Sequence, residues 1–282
     1  MKILILGSTG ILGGTFSLFL SKRKNISIHY ISRNKKKNHN YLKDFSDFNK
    51  LEKLILKIKP THIINCIGIT KFNNSFKIKK QTIFINVRLP KLLSSLCLEN
   101  KIFFIHISTD CVFSGKKGNY ADNSKKDALD LYGVSKALGE VKNKFAATIR
   151  TSFIGPEQNS QKSLLNWFLS QKNEVNGFNK AFFSGVTSLE LCHIIFKYYL
   201  KNKNLYNKIL NVGGYKISKY DLLSCIAKTF DKKIIIKEFN DFKIDRSLNC
   251  QKFNKITNYK NKSWLIMLRE LNFFMKDNNY KF

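Results

Sequence analysis

Apolar runs of strand length recur along the first half of the chain, each followed by a stretch of helical character. Lys2-Ile-Leu-Ile-Leu6 is the first run, residues 26–31 alternate as a second, and residues 61–70 and 102–107 supply buried fourth and fifth strands. Asp44 is expected to close a third strand between them. Helices are predicted over residues 48–59, capped by Asp47 and stopped at Pro60, over residues 83–98, and from Leu131 onward. Such alternation builds a parallel sheet with helices on both faces, so the chain is an α/β protein. Beyond Arg150 the pattern shortens. Residues 178–183 are aromatic and loop-like, 189–200 helical, 209–214 a strand and turn, and 234–236 a short strand. Ser218 should cap a helix to Phe230, and residues 264–274 form an amphipathic terminal helix. No repeat or flexible linker divides the chain.

Composition narrows the class. Of 282 residues, 43% are apolar, ample for a core, and no run of 18 uncharged apolar residues predicts a membrane span. The apolar start is broken by Gly7, Gly10, Gly13 and Gly14, unlike a secretory leader. Six cysteines (66, 97, 111, 192, 225, 250) lie far apart with no C-x-x-C pair, which suits reduced thiols in a cytoplasm and small core residues, and predicts no metal site. The formal charge of +31 invites a nucleic-acid reading. Against it, 44 of the 50 basic residues are Lys and only six are Arg, scattered among 30 asparagines, whereas base and phosphate recognition favours the Arg fork. The charge should instead attract small polyanions.

Candidate chemistry begins at the first turn. Gly7-Ser-Thr-Gly10-Ile-Leu-Gly13 follows the first strand at once: Gly7 suits a tight turn, Gly10 a close approach to pyrophosphate, and Gly13 close helix packing, with the helix N-terminus favouring an anion. This spacing, G-x-x-G-x-x-G, is weak evidence by itself. Arg33 stands 20 residues beyond Gly13, where an NAD-binding chain offers Asp or Glu. With Lys35, Lys36 and Lys37 it either accommodates a 2′-phosphate or forms a solvated basic loop. Asp44 is placed on the adenine side. Asn86 either bridges helix and strand or faces solvent, and His106 is expected to be a satisfied core histidine. Ser108 and Thr109 leave the fifth strand at its carboxyl end, where open parallel sheets bind ligands. Tyr132 and Lys136 are four apart and share a helix face, so the ammonium should favour the phenolate and make the tyrosine an acid–base group. In so lysine-rich a chain this pair gains meaning only with the glycine turn and the strand-end Thr, in the right order.

These segments resemble the extended short-chain dehydrogenase/reductase family, and within it the dTDP-4-dehydrorhamnose reductases. The resemblance rests on Gly7-x-x-Gly10-x-x-Gly13, Asn65-Cys-Ile-Gly-Ile-Thr70, Ser108-Thr-Asp-Cys-Val-Phe-Ser-Gly115, Tyr132-Gly-Val-Ser-Lys136 and Ile149-Arg-Thr-Ser-Phe-Ile-Gly155, and less specifically on Asp245-Arg-Ser-Leu248 and Trp264. Cys111 departs from it, standing where a tyrosine is usual. The resemblance implies a Rossmann-type doubly wound parallel sheet over residues 1–150 binding NADPH, or NADH, and a smaller C-terminal α/β substrate lobe over 151–282, interleaved with the first. It implies a catalytic set of Thr109, Tyr132 and Lys136. Cofactor contacts are expected from Gly7, Thr9, Gly10, Ile11, Leu12, Gly13, Arg33, Asp44, Cys66, Ile67, Gly68, Tyr132 and Lys136, and substrate contacts from Thr70, Ser108, Thr109, Asp110 and Arg246. Arg246 could pair with a diphosphate or be structural. Phe178, Phe182, Phe183 and Trp264 could stack on a base or belong to the core. The implied reaction is reduction of the C4 ketone of a nucleotide-linked 4-keto-6-deoxy sugar for cell-surface polysaccharide. An epimerase retaining NAD, and a non-catalytic dinucleotide-binding subunit, are the competing classes. A dehydratase should carry Asp-Glu after the strand-end Thr, where this chain has Asp110-Cys111. A homodimer is left open.

Overall fold

The computed structural model describes residues 1–33, 40–70, 75–157 and 163–280. Strand β1 (Lys2–Leu6) runs into helix α1 (Ile11–Ser21), then β2 (Ser27–Ser32) and a two-residue β3 (Asn40–Tyr41). Asp44 therefore does not close the third strand. It lies three residues past it, exposed, with its Oδ1 accepting the Ser46 N–H at 2.8 Å, a local turn that competes with strand pairing. Helix α2 (Phe48–Ile58) starts at the Asp47 cap and ends on Lys59 in the left-handed conformation, just before Pro60. After β4 (His62–Asn65) come α3 (Phe76–Ile83) and α4 (Leu89–Glu99), joined by one π turn over Phe84–Arg88. The helical stretch thus begins seven residues before the predicted start, because its first turns carry lysines rather than an apolar stripe. Next are β5 (Phe103–Ile107), α5 (Leu131–Leu138) and β6 (Ala146–Arg150).

The remainder alternates short elements: β7 (Phe153–Ile154), α6 (Leu164–Ser170), β8 (Glu174–Phe178), β9 (Ala181–Phe183), β10 (Val186–Thr187), α7 (Ser188–Ile194) and β11 (Ile209–Asn211). They continue through β12 (Ile217–Ser218), α8 (Lys219–Thr229), β13 (Ile235–Phe239), β14 (Ile244–Asp245), α9 (Gln251–Thr257) and α10 (Trp264–Asp277). Most of residues 178–183 is strand rather than loop: β8 pairs with β13, and β9 lies between β12 and β14. The partners are distant in sequence and the strands very short, so no local alternation marks them.

The main sheet is parallel throughout, in the order β11-β6-β5-β4-β1-β2-β3. This is a Rossmann-type doubly wound sheet. Its last strand, β11, comes from residues 209–211, so the C-terminal part of the chain completes the sheet. Both faces are covered: in β1, Ile3 and Ile5 enter one core while Leu4 and Leu6 enter the other. Burial on both faces explains why these strands read as continuous apolar runs. The order reverses between β1 and β4, and the carboxyl ends of those strands flank the crevice where such sheets bind ligands. Among the described residues no helix is long and apolar enough to cross a membrane.

Candidate active site

The turn between β1 and α1 is built as its glycines require. Gly7 has φ +81°, a left-handed conformation that only glycine adopts without strain. A Cβ on Gly13 would collide with the Gly7 carbonyl, whereas one on Gly10 would meet only that oxygen at 3.7 Å. Helix α1 opens with no side-chain cap, leaving its N-terminal dipole for an anion. A cavity of about 210 Å³ lies over this end, lined by Gly10, Ile11, Leu12, Cys66, Ile67, Gly68 and Thr70, and on its far side by Ile107, Ser108, Tyr132, Lys136, Phe153 and Glu157. Glycine close approach and an uncapped helix end fit the pyrophosphate of a dinucleotide.

The structure brings Tyr132 and Lys136 together in this cavity, on the helix that Asp130 caps through the Gly133 N–H at 2.8 Å. Helix α5 packs closely on the residues behind it: Cβ atoms on Gly133 and Gly139 would strike the Cys111 and Asn86 carbonyls. Asn86, fully buried in the π turn, adopts the bridging role. Its amide donates to the Ile69 carbonyl and to Ser135 Oγ, both at 3.0 Å, and its Oδ1 accepts the Ile69 N–H at 3.0 Å. It ties the loop after β4 to α5.

Lys136 is 3% exposed, and its Nζ donates to the Ile107 carbonyl at 2.7 Å, with His106 Nε2 at 3.4 Å. Burial pulls its pKa down to about 8, opposed by Glu140 and Cys66. His106 is the satisfied core histidine expected, its Nδ1 lying 3.1 Å from Asn65 Nδ2, although its other nitrogen faces Lys136. The expected lowering of Tyr132 is not found. Burial pushes the phenol well above its ordinary value, and Cys111, Asp110 and Asp130 add to this, while a hydrogen bond with the Thr109 side chain works the other way. The Lys136 ammonium is held by the Ile107 carbonyl, and desolvation dominates at the phenol.

Thr109 and Asp110 are buried behind Tyr132. Ser108 lines the cavity, yet its hydroxyl turns inward to Glu140 Oε1 at 3.1 Å. Other expected residues lie apart. Thr9 is half-buried within the turn, outside the cavity wall, and Arg33 is exposed at the end of β2; Lys35, Lys36 and Lys37 lie outside the described residues. Asp44 lines a separate cavity of about 450 Å³ with Ser46, Phe84 and Arg88. Arg246 lies outside the cavity wall, donating from Nε to the Phe113 carbonyl (3.1 Å) and from Nη1 to Cys111 Sγ (3.4 Å), with Nη2 3.8 Å from Asp130. Phe183 and Trp264 are core, their rings 5.3 Å apart. Phe178 packs on Phe239 and Phe242, and Phe182 lies under the Lys216 ammonium. Nor are all six cysteines small core residues: Cys66 lines the cavity and Cys111 sits beside Thr109, although burial holds both thiols up at about 12. All six are free.

Sequence reasoning missed two groups. Lys219, at the head of α8, faces Asp110 and Cys111; no motif marks a lone lysine among 44. Glu140 and Arg150 form a bidentate pair (2.6 and 2.9 Å), with side chains 1% and 4% exposed, directly under Ser108. Glu140 sits just past one quoted motif and Arg150 within another, and opposite charges flanking a buried strand were the available signal.

The sheet order, the glycine turn and a Tyr-x-x-x-Lys helix facing it define an extended short-chain dehydrogenase/reductase. Within that class, the chain belongs to the RmlD substrate binding domain family, whose model matches residues 1–230. A dTDP-4-keto-6-deoxy-D-glucose reductase from Streptomyces niveus is 28% identical over 98 residues, 34% of either chain. The match therefore spans about a third of that relative's length. A hypothetical dTDP-4-dehydrorhamnose reductase from Sulfolobus tokodaii superposes with a TM-score of 0.77 at 26% identity, covering 94% of this chain and 98% of that one. A dTDP-4-dehydrorhamnose reductase from Bacillus anthracis, solved in complex with NADP, shares the fold, with a TM-score of 0.79 at 17% identity over 96% and 98% of the chains.

Proposed function

We propose that this protein reduces the C4 ketone of a nucleotide-linked 4-keto-6-deoxy sugar at the expense of NADPH, in the synthesis of cell-surface polysaccharide precursors in the cytoplasm. The observation that carries this reading is one cavity walled on one side by an uncapped, glycine-lined helix end and on the other by Tyr132 and Lys136. Residues 1–150 hold the dinucleotide and residues 151–282 shape the substrate side. NADPH, when bound there, supplies a hydride from its nicotinamide ring. Gly10, Ile11 and Leu12 hold the pyrophosphate, and Lys136 lies deep enough to reach the ribose. Arg33, exposed at the end of β2, suits a 2′-phosphate. Tyr132 protonates the keto oxygen as its carbon receives the hydride, leaving a secondary alcohol. The phenol, which burial keeps fully protonated near neutrality, suits a donor of that proton.

A third cavity, of about 600 Å³, supports the substrate class. It is lined by Lys116, Lys117, Lys180, Lys216 and Lys243 with Asp245 the single acid, and its wall includes the segment that carries Arg246. Five ammonium groups beside one carboxylate suit a diphosphate.

The test is to mix purified protein with NADPH and a dTDP- or UDP-linked 4-keto-6-deoxyhexose and follow the nicotinamide absorbance. Loss of the reduced band that depends on the sugar is expected. Tight dinucleotide binding without oxidation by any such sugar would favour the regulatory reading.

A further inference from the structure

A backbone amide fixes where the proton sits on the buried histidine behind the cavity. Asn65 and His106 are register partners on β4 and β5, and both are fully buried. Asn65 Oδ1 accepts the Ile67 N–H at 3.1 Å. Its Nδ2, which can only donate, is thereby left facing His106 Nδ1 at 3.1 Å. Nδ1 is then the acceptor of the ring, and the network assigns the hydrogen of a neutral imidazole to Nε2. Burial, and after it Lys136, holds His106 well below its ordinary pKa, so the ring is neutral near pH 7. This Nε2–H faces Lys136 Nζ, 3.4 Å away. On its other side Lys136 meets an acceptor, the Ile107 carbonyl at 2.7 Å. The two protonation states of the lysine fit these neighbours unequally. An ammonium has three hydrogens and no lone pair, so it satisfies the carbonyl but opposes one donor to another at Nε2. A neutral amine donates to the carbonyl and receives the Nε2–H on its lone pair, and every group is paired.

We propose, on the reading of this cavity as a dinucleotide site, that His106 is a positioning residue whose Nε2–H keeps Lys136 poised between amine and ammonium in the free protein, so that cofactor binding takes up a proton at Lys136. A dinucleotide brings phosphate charge and ribose hydroxyl acceptors, and both favour the ammonium.

The remaining groups around Lys136 set the pH window. Burial takes the lysine down to about 8, opposed by Glu140, just past the end of α5, and by Cys66, after β4. Glu140 is neutralised by its two hydrogen bonds from Arg150, and burial keeps the Cys66 thiol protonated. Tyr132, one turn earlier on α5, is likewise protonated. Lys136 is therefore low in the free protein and raised in the complex. Affinity for the dinucleotide is at its full value below the free pKa and falls as pH rises above it, by up to about tenfold per pH unit for one proton. The fall ends where the complex itself loses the proton.

Three measurements test this. Long-range 1H–15N NMR of the wild-type histidine rings, with His106 assigned by its loss in His106→Gln, should show the Nε2–H tautomer. A lysine 13Cε resonance, assigned by its loss in Lys136→Met, should titrate at or below about 8 in wild type. In His106→Gln, whose amide can turn its oxygen to the ammonium, that titration should rise by about one pH unit, the size of one hydrogen bond. Calorimetry of NADPH binding near pH 9, in two buffers of different ionisation enthalpy, should show proton uptake that falls by about half in His106→Gln for such a shift. An Nδ1–H tautomer, a Lys136 titration unmoved by His106→Gln, or NADPH binding with no proton uptake overturns the proposal. The two NMR readouts need no ligand, so a protein that shows both but binds no dinucleotide would refute the cofactor reading and keep the His106–Lys136 pair.

Discussion

Tyr132→Phe is expected to lower kcat by about 10²–10⁴-fold, the range for loss of a positioned proton donor, with dinucleotide affinity unchanged. Phenylalanine keeps the ring and removes only the hydroxyl. Tyr132 lines the cavity with Ser108 and Lys136. The glycine turn and Lys136 are untouched, so binding should persist and chemistry fail. Steady-state kinetics with a fluorescence titration of NADPH separates the two effects. A variant with wild-type kcat would remove the phenol from the mechanism.

The largest expected effect on stability belongs to Arg150→Ala. Arg150 is 4% exposed, donates twice to Glu140 and once more, at 2.8 Å, to the Asp122 carbonyl. Truncation leaves Glu140 buried with Lys126, at 3.1 Å, as its remaining ion partner. Removing one member of a buried pair costs about 3–5 kcal/mol, a fall in Tm on the order of 10 °C for a domain of this size. Replacing both residues by Met should recover part of the loss, because no unpaired charge then remains. Thermal unfolding of the two variants beside wild type checks this; an Arg150→Ala variant that melts with wild type would contradict it. The position of the pair matters beyond stability, since Ser108 hydrogen-bonds Glu140 and the next residue is Thr109.

What was legible in the sequence has a physical explanation. Strands β1, β4 and β5 were readable because burial on both faces makes them continuous apolar runs, and α2 because Asp47 and Pro60 bracket it. The glycine turn and Tyr132–Lys136 were readable because their spacing is set by backbone geometry and by one helical turn. Strands β9 and β14 were not, since three and two residues pairing across about 60 positions leave no periodic trace. The inward turn of Ser108 was not readable either, because its acceptor, Glu140, is contributed by a separate segment. Lys219 was hidden by composition: one lysine among 44 carries no signal until folding brings it within the electrostatic reach of a buried acid. The shift at Tyr132 was misjudged because spacing reveals a lysine one turn away but neither the Ile107 carbonyl that holds its ammonium nor the depth of burial at the phenol.

The central claim is that a hydride crosses this cavity to a sugar carbon while Tyr132 supplies the proton. The most direct measurement uses NADPH deuterated at the transferable nicotinamide position and a nucleotide-linked 4-keto-6-deoxyhexose, with NMR of the product sugar. One deuterium bound to C4, on every product molecule, is the expected result. Product carrying no deuterium at C4, or a labelled cofactor that stays unconsumed while the dinucleotide binds, would contradict it.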